Sequence, residues 1–140
     1  MNLSLLPGDY EIYRFEPGDH LPDWIFSSEF YSVTGTADEV SVVTVCGKSV
    51  PEGVRHESGW RILKIEGPLD FSLTGVISCV SGILSGRGIS VFVISSFDTD
   101  FILVKCSSVE EAIRALEEMG YSVRYTRTQN LHESAKSKPD

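Results

Sequence analysis

From Trp60 to Arg127 the spacing of apolar residues switches repeatedly between strand and helix periods, and that succession restricts the fold more than any other feature of the chain. Trp60-Arg61-Ile62-Leu63-Lys64-Ile65-Glu66 alternates apolar and polar residues until Gly67-Pro68 interrupts it, which predicts a strand and then a turn. Leu73, Val76, Ile77, Val80, Ile83 and Leu84 recur at three-and-four spacing, the mark of an amphipathic helix. Ser72 or Asp70 is placed to cap it and Gly86 to stop it. After Gly86-Arg87-Gly88, the β-branched and aromatic runs Ile89–Ile94 and Phe101–Val104 flank a short polar loop and predict a hairpin. Ser107 or Ser108, with Glu110 or Glu111 three residues on, has capping-box spacing; Val109, Ala112, Ile113, Leu116 and Met119 then mark a helix face that stops at Gly120. A last strand runs Tyr121–Thr126. Strand, helix, strand, strand, helix, strand is the split βαβ arrangement, an α+β, ferredoxin-like βαββαβ module with two helices on one face of a four-stranded antiparallel sheet.

The first half is less regular. Tyr10–Phe15 reads as a strand between Pro7-Gly8 and Pro17-Gly18, Phe30–Thr34 with Val40–Val45 as a hairpin, and Pro22–Phe26 as the one short helical stretch. Glu39–Val43 echoes the loop-and-strand Asp100–Val104, which suggests either an abbreviated copy of the later module or a chance likeness of two β-rich hairpins. Residues 46–59, with Gly47, Pro51 and Gly53, read as a connection, and Thr128–Asp140 as a polar tail. Gly75 and Gly82 each cost the first long helix about 1 kcal/mol relative to alanine, for which close approach by a ligand or partner and simple packing are both adequate reasons.

Composition narrows the function classes. A chain of 140 residues can bury roughly two thirds of the surface it exposes when unfolded, enough for a core without disulfide or metal staples. Twenty acidic against twelve basic side chains, a net charge of −8, repel phosphate backbones and anionic lipid, so neither nucleic acid nor membrane is the expected partner. Cys46, Cys79 and Cys106 form no CxxC pair and their odd number makes a poor disulfide framework; they read as reduced core residues. Met1–Pro7 has neither the basic region nor the apolar length of a secretory signal and no window is long enough to span a membrane, so a cytoplasmic protein is expected. His20, His56 and His132 are scattered, Asp98 and Asp100 alone do not supply a metal ligand set, and there is no HExxH, phosphate loop or dinucleotide fingerprint. No catalytic residue, metal or cofactor is expected. Phe71, Phe92, Phe97 and Phe101 read as core and pocket wall.

Glu66-Gly67-Pro68-Leu69-Asp70-Phe71-Ser72-Leu73-Thr74-Gly75-Val76, continued by the stretch from Ile89 to Val104, resembles the ACT-domain branch that includes bacterial tandem-ACT proteins and the CASTOR-type arginine sensors. The elements that carry the resemblance are a turn leading into Thr-Gly at the start of the helix and Ile-Ser-Val-Phe running into Ser-Phe-Asp-Thr-Asp. Thr99 stands where some loops of that branch have an apolar residue. The resemblance implies a complete ACT domain over residues 59–128, an abbreviated ACT-like lobe with its linker over 1–58, and a polar tail over 129–140. It also implies a small ligand, usually an amino acid, held at an interface between ACT units.

An amino acid needs an acceptor for its ammonium, donors for its carboxylate and a wall for its side chain. Backbone N–H groups around Thr74 and Gly75, at a positively polarised helix N-terminus, suit the carboxylate. Ser90 by its hydroxyl and Val91 by its main chain match the ligand-contacting strand of that branch. Ser96, Phe97 and Asp100 match the loop that closes over the ligand, where Asp100 would meet an ammonium or a basic side chain. The expected protein is therefore a non-catalytic ligand sensor, associated as a twofold homodimer through its sheet edges and acting on a protein partner when the ligand favours one arrangement. The alternative is a ligand-free structural or protein-interaction module of the same fold. A hydrolase or isomerase using Asp98 or Asp100 as base is the third and least supported class.

Overall fold

The computed structural model describes residues 2–46, 50–66 and 75–125. In chain order its elements are β1 (Asn2–Leu5), β2 (Tyr10–Phe15), a 3-10 turn (Asp23–Ser27), β3 (Ser32–Gly35), β4 (Val40–Val45), β5 (Arg55–Ile65), α1 (Val76–Gly86), β6 (Phe92–Ser95), β7 (Asp100–Lys105), a second 3-10 turn (Cys106–Ser108), α2 (Val109–Glu118) and β8 (Ser122–Tyr125). They fall into two compact units, Asp9–Trp60 and the joined segments Met1–Gly8 and Arg61–Asp140. The sequence pattern puts residues 1–58 in one lobe, whereas the structure groups the first eight residues with the later module. The reason is a strand too short to show a period: Asn2–Leu5 pairs antiparallel with β5 (Leu3 opposite Ile65) and parallel with β8 (Leu3 opposite Val123).

In the larger unit the strands run β8-β1-β5-β7-β6, so the expected four-stranded ferredoxin-like sheet carries a fifth strand between the first and last strands of the module. Both helices lie on one face. Leu3, Leu5, Leu63, Ile65, Ile102 and Val104 from the sheet meet Val80, Leu84, Ala112 and Leu116 from the helices in one buried core. Alternation puts every second strand residue on that face, and three-and-four spacing brings the helix residues down onto it. α1 starts at Gly75, and the expected caps Asp70 and Ser72 lie outside the described residues. It closes by a Schellman arrangement at left-handed Gly88, with Gly88 N–H donating to the Ser85 carbonyl and Ile89 N–H to the Leu84 carbonyl. That use of Ile89 takes it out of the expected strand, so β6 begins only at Phe92.

Ser108 caps no N–H with its side chain, contrary to the capping-box spacing, because α2 continues from the 3-10 turn before it and Ser108 already has helical backbone. Met119 lies beyond the last helical residue and is 64% exposed, so it leaves the expected core face. The three cysteines are exposed, not core residues. Arg87 pairs with Glu111 and Glu118, and these two bonds raise its already high pKa.

In the Asp9–Trp60 unit the order is β3-β4-β2-β5, with the N-terminal half of β5 against β2. The expected connection 46–59 is thus partly strand: Arg55–Gly59 has no apolar alternation and pairs with β2 through its backbone, with the His56 ring set against Tyr13. Tyr13, Phe15, Ile25 and Val42 form this unit's core, and Ile25 comes from the 3-10 turn that the Pro22–Phe26 reading anticipates. The β3–β4 and β6–β7 hairpins share one register sixty residues apart, Ser32 opposite Val43 and Phe92 opposite Leu103, which sets Val40, not the Glu39 of the sequence echo, in the place of Asp100.

Candidate functional site

The β6–β7 hairpin places three of the predicted ligand residues, Ser96, Phe97 and Asp100. Its loop is a Ser-led turn: Ser96 N–H and Oγ both donate to the Thr99 carbonyl, at 2.8 and 2.9 Å, and Thr99 N–H donates back to Ser96 Oγ. Thr36 and Glu39 repeat the backbone bond in the β3–β4 loop. Thr99 is 7% exposed, and its hydroxyl donates to the Ile65 carbonyl at 2.5 Å, fastening the loop to the end of β5. Asp100 opens β7 directly opposite Ser95, whose hydroxyl donates to Asp100 Oδ1. Its carboxylate is thereby oriented, with Oδ2 outside that bond. Phe97, expected as core or pocket wall, is 85% exposed at the loop tip.

Ser90 is exposed and Val91 half-buried, and both precede β6 instead of lying in it; Val91 packs on the helix-face core. Gly75 stands at the start of α1 with φ +86°, a left-handed conformation that side chains rarely adopt. Among the described residues nothing lies within 4 Å of where a Cβ on Gly75 would stand, and no side chain caps this helix. Gly82 likewise has nothing within 4 Å of where a Cβ would stand, so packing among the described residues requires neither glycine. Thr74 lies outside the described residues. Ser96, Phe97 and Asp100 therefore share one hairpin, Ser90 and Val91 lead into it, and Gly75 begins the helix that follows β5. Among the described residues the chemistry on offer is the start of an eleven-residue helix without a side-chain cap, for a carboxylate, and an oriented aspartate, for an ammonium.

Pattern reasoning singles out neither Thr99's anchoring bond nor Glu11. Glu11 is 6% exposed on β2, on the same face as Tyr13 and Phe15, and Cys46 Sγ donates to its Oε1 at 2.9 Å. The cue for Glu11 is present in the sequence: positions 11, 13 and 15 alternate onto one face, so an acid leads two aromatic core residues. Among the described residues no group of His, Cys, Asp and Glu converges as a metal site, and no helix is long and apolar enough to cross a membrane.

Residues 55–118 match the family model described as an ACT domain, and residues 8–52 match a second model described as an N-terminal domain. No match is found among curated proteins. Among solved structures the chain is similar to the Agobacterium tumefaciens protein Atu0741, at 35% identity over 90% of this chain and 93% of that one, with a TM-score of 0.82. It is also similar to VC0802 of Vibrio cholerae, described as of unknown function and a possible transport protein, at 22% identity, 84% and 88% coverage and TM-score 0.65. The regulatory subunit of aspartate kinase from Thermus thermophilus matches at 11% identity, 79% and 92% coverage and TM-score 0.56. The last two likenesses are of fold.

Proposed function

The chain belongs to the family of Atu0741 and carries an ACT domain over residues 55–118, and from that premise we propose a non-catalytic regulatory protein that binds a small amino acid. The observation that carries the reading is the start of α1, where, among the described residues, no side chain caps the helix and nothing lies within 4 Å of where a Cβ on left-handed Gly75 would stand. A carboxylate fits that place by charge and by hydrogen bonding. The ammonium, or a basic side chain, goes to Asp100, which Ser95 orients, while Phe97 at the loop tip covers the ligand and Ser90, Val91, Ser96 and Thr74 complete the contacts. The shared hairpin register supports reading the short N-terminal lobe as an abbreviated ACT-like unit. Edge strands β6 and β8, each paired on one side in this unit, suit side-by-side association of two copies, and ligand-dependent association would act on a protein partner.

Thermal-shift screening of the twenty amino acids, repeated with Asp100→Ala and Gly75→Val, tests the site, and sedimentation with and without the active amino acid tests association. One amino acid should stabilise the parent chain and lose its effect in both variants. No shift with any amino acid would leave the ligand-free interaction module, and a shift retained in both variants would move the site elsewhere.

A further inference from the structure

The Asp9–Trp60 unit contains a carboxylate that its own core leaves half satisfied. Glu11 is more than nine-tenths buried, among the described residues its Oε2 is sealed from solvent with no hydrogen-bond partner, and Oε1 receives the Cys46 thiol, a weak donor. Thr44, directly opposite Glu11 on β4, is fully buried, and its hydroxyl is committed to the Ile25 carbonyl at 3.1 Å. Asp9 adds a second negative charge at the same end of the sheet, where Cys46 N–H donates to its carbonyl. The β2–β5 ladder is interrupted here: its register shifts between Tyr10 and Ile12, and Gly59 on β5 is left-handed. A buried carboxylate needs a charged partner or a full set of donors, and a thiol supplies neither.

We propose that this end of the sheet, where the Cys46 thiol meets Glu11, is a receptor for a small primary ammonium that displaces the thiol and bonds to the Glu11 carboxylate. Cys46 is exposed, so the thiol is the side from which the carboxylate is reached. An ammonium is compact and brings three donors, enough for both carboxylate oxygens. The surrounding field favours it, since Asp9–Trp60 holds ten of the chain's twenty acids and three of its twelve lysines and arginines. A metal ion is disfavoured, because among the described residues no three ligating side chains converge. The site lies in the other unit from Asp100 and does not rest on the amino-acid reading.

The test uses the full chain with methylammonium chloride, and tetramethylammonium chloride at equal ionic strength as a cation without N–H donors. Methylammonium should raise Tm by about 5–10 °C at a hundredfold excess over half-saturation, and tetramethylammonium should not. Glu11→Gln should abolish the shift and Asp100→Ala should leave it intact. Cys46→Ala, which removes the thiol to be displaced, should lower the half-saturating concentration several-fold and keeps the test decisive if Glu11→Gln does not fold. Equal shifts with both cations, no shift, or a half-saturation unchanged in both Glu11→Gln and Cys46→Ala would overturn the assignment. A methylammonium shift seen only in Lys48→Met would assign the ammonium to the chain's own lysine, and a shift with zinc chloride alone would assign a metal; either would overturn a site for a soluble ammonium.

Discussion

Replacing Thr99 with valine removes one hydroxyl and little volume. The hydroxyl donates to the Ile65 carbonyl at 2.5 Å from a side chain that is 7% exposed. A typical bond of this kind contributes about 0.5–1.5 kcal/mol, and an acceptor left buried without a partner costs about 1–3 kcal/mol. The added methyl returns up to about 0.8 kcal/mol of apolar burial. The balance is a loss of about 1–2 kcal/mol, or a fall in Tm of about 3–8 °C for a chain of this size. Urea unfolding followed by circular dichroism gives the energy, with an unchanged slope showing that the unfolded reference has not moved. Thr99→Ser keeps the donor and should recover most of the stability. A valine variant as stable as the parent, or a serine variant as damaged as the valine one, would refute the claim that this bond holds the loop.

Leu84→Ala and Leu116→Ala each empty a fully buried position between the helices and the sheet and should cost about 2–5 kcal/mol in the same unfolding experiment. The two open glycines should respond oppositely: Gly75→Ala should destabilise by about 1–2 kcal/mol through its left-handed backbone, and Gly82→Ala should stabilise by up to about 1 kcal/mol, both read as shifts in urea midpoint. The Cys46 thiol titrates above its ordinary value, first because it donates to Glu11, then through partial burial and the charges of Glu11 and Asp9. Its stabilising contribution is full below the unfolded thiol's pKa and is lost as pH rises through the raised folded value. Iodoacetamide labelling of Cys46, followed by mass spectrometry across pH 7–10, should therefore turn on at lower pH in Glu11→Gln than in the parent chain.

The later module is readable in the sequence because its helices and strands bury one face each, so period and burial coincide: Val80 and Leu84 in α1, Ala112 and Leu116 in α2, Ile102 and Val104 in β7. Where pattern reasoning departs from the structure, long-range or backbone interactions decide the outcome. Asn2–Leu5 is placed by partners sixty and one hundred and twenty residues away, and Arg55–Gly59 is strand only because β2 offers a ladder to it. Ser108 has the right neighbours for a capping box but the wrong backbone. At the candidate site the hairpin loop is legible from Ser96 to Asp100, whereas the role of Thr99 depends on the Ile65 carbonyl, which no local window contains. Phe97 shows the reverse limit, since aromatic character alone gives no sign that the ring stands outside the core, 85% exposed at the loop tip.

The insertion of β1 between β5 and β8 has a consequence for how the chain acquires its structure. During synthesis the first strand emerges long before either neighbour, and the parallel ladder from Asn2 to Leu5 closes only when Ser122–Tyr125 has been made. Contacts of such sequence separation carry a large loop-closure entropy and slow folding relative to a module of purely local hairpins and helices. The Asp9–Trp60 segment is completed within that open loop, so it can form first and shorten the effective distance between β1 and β5. A destabilised Asp9–Trp60 unit would then delay the later module as well, and the rate at which β1 finds its place becomes a property of residues outside its own unit.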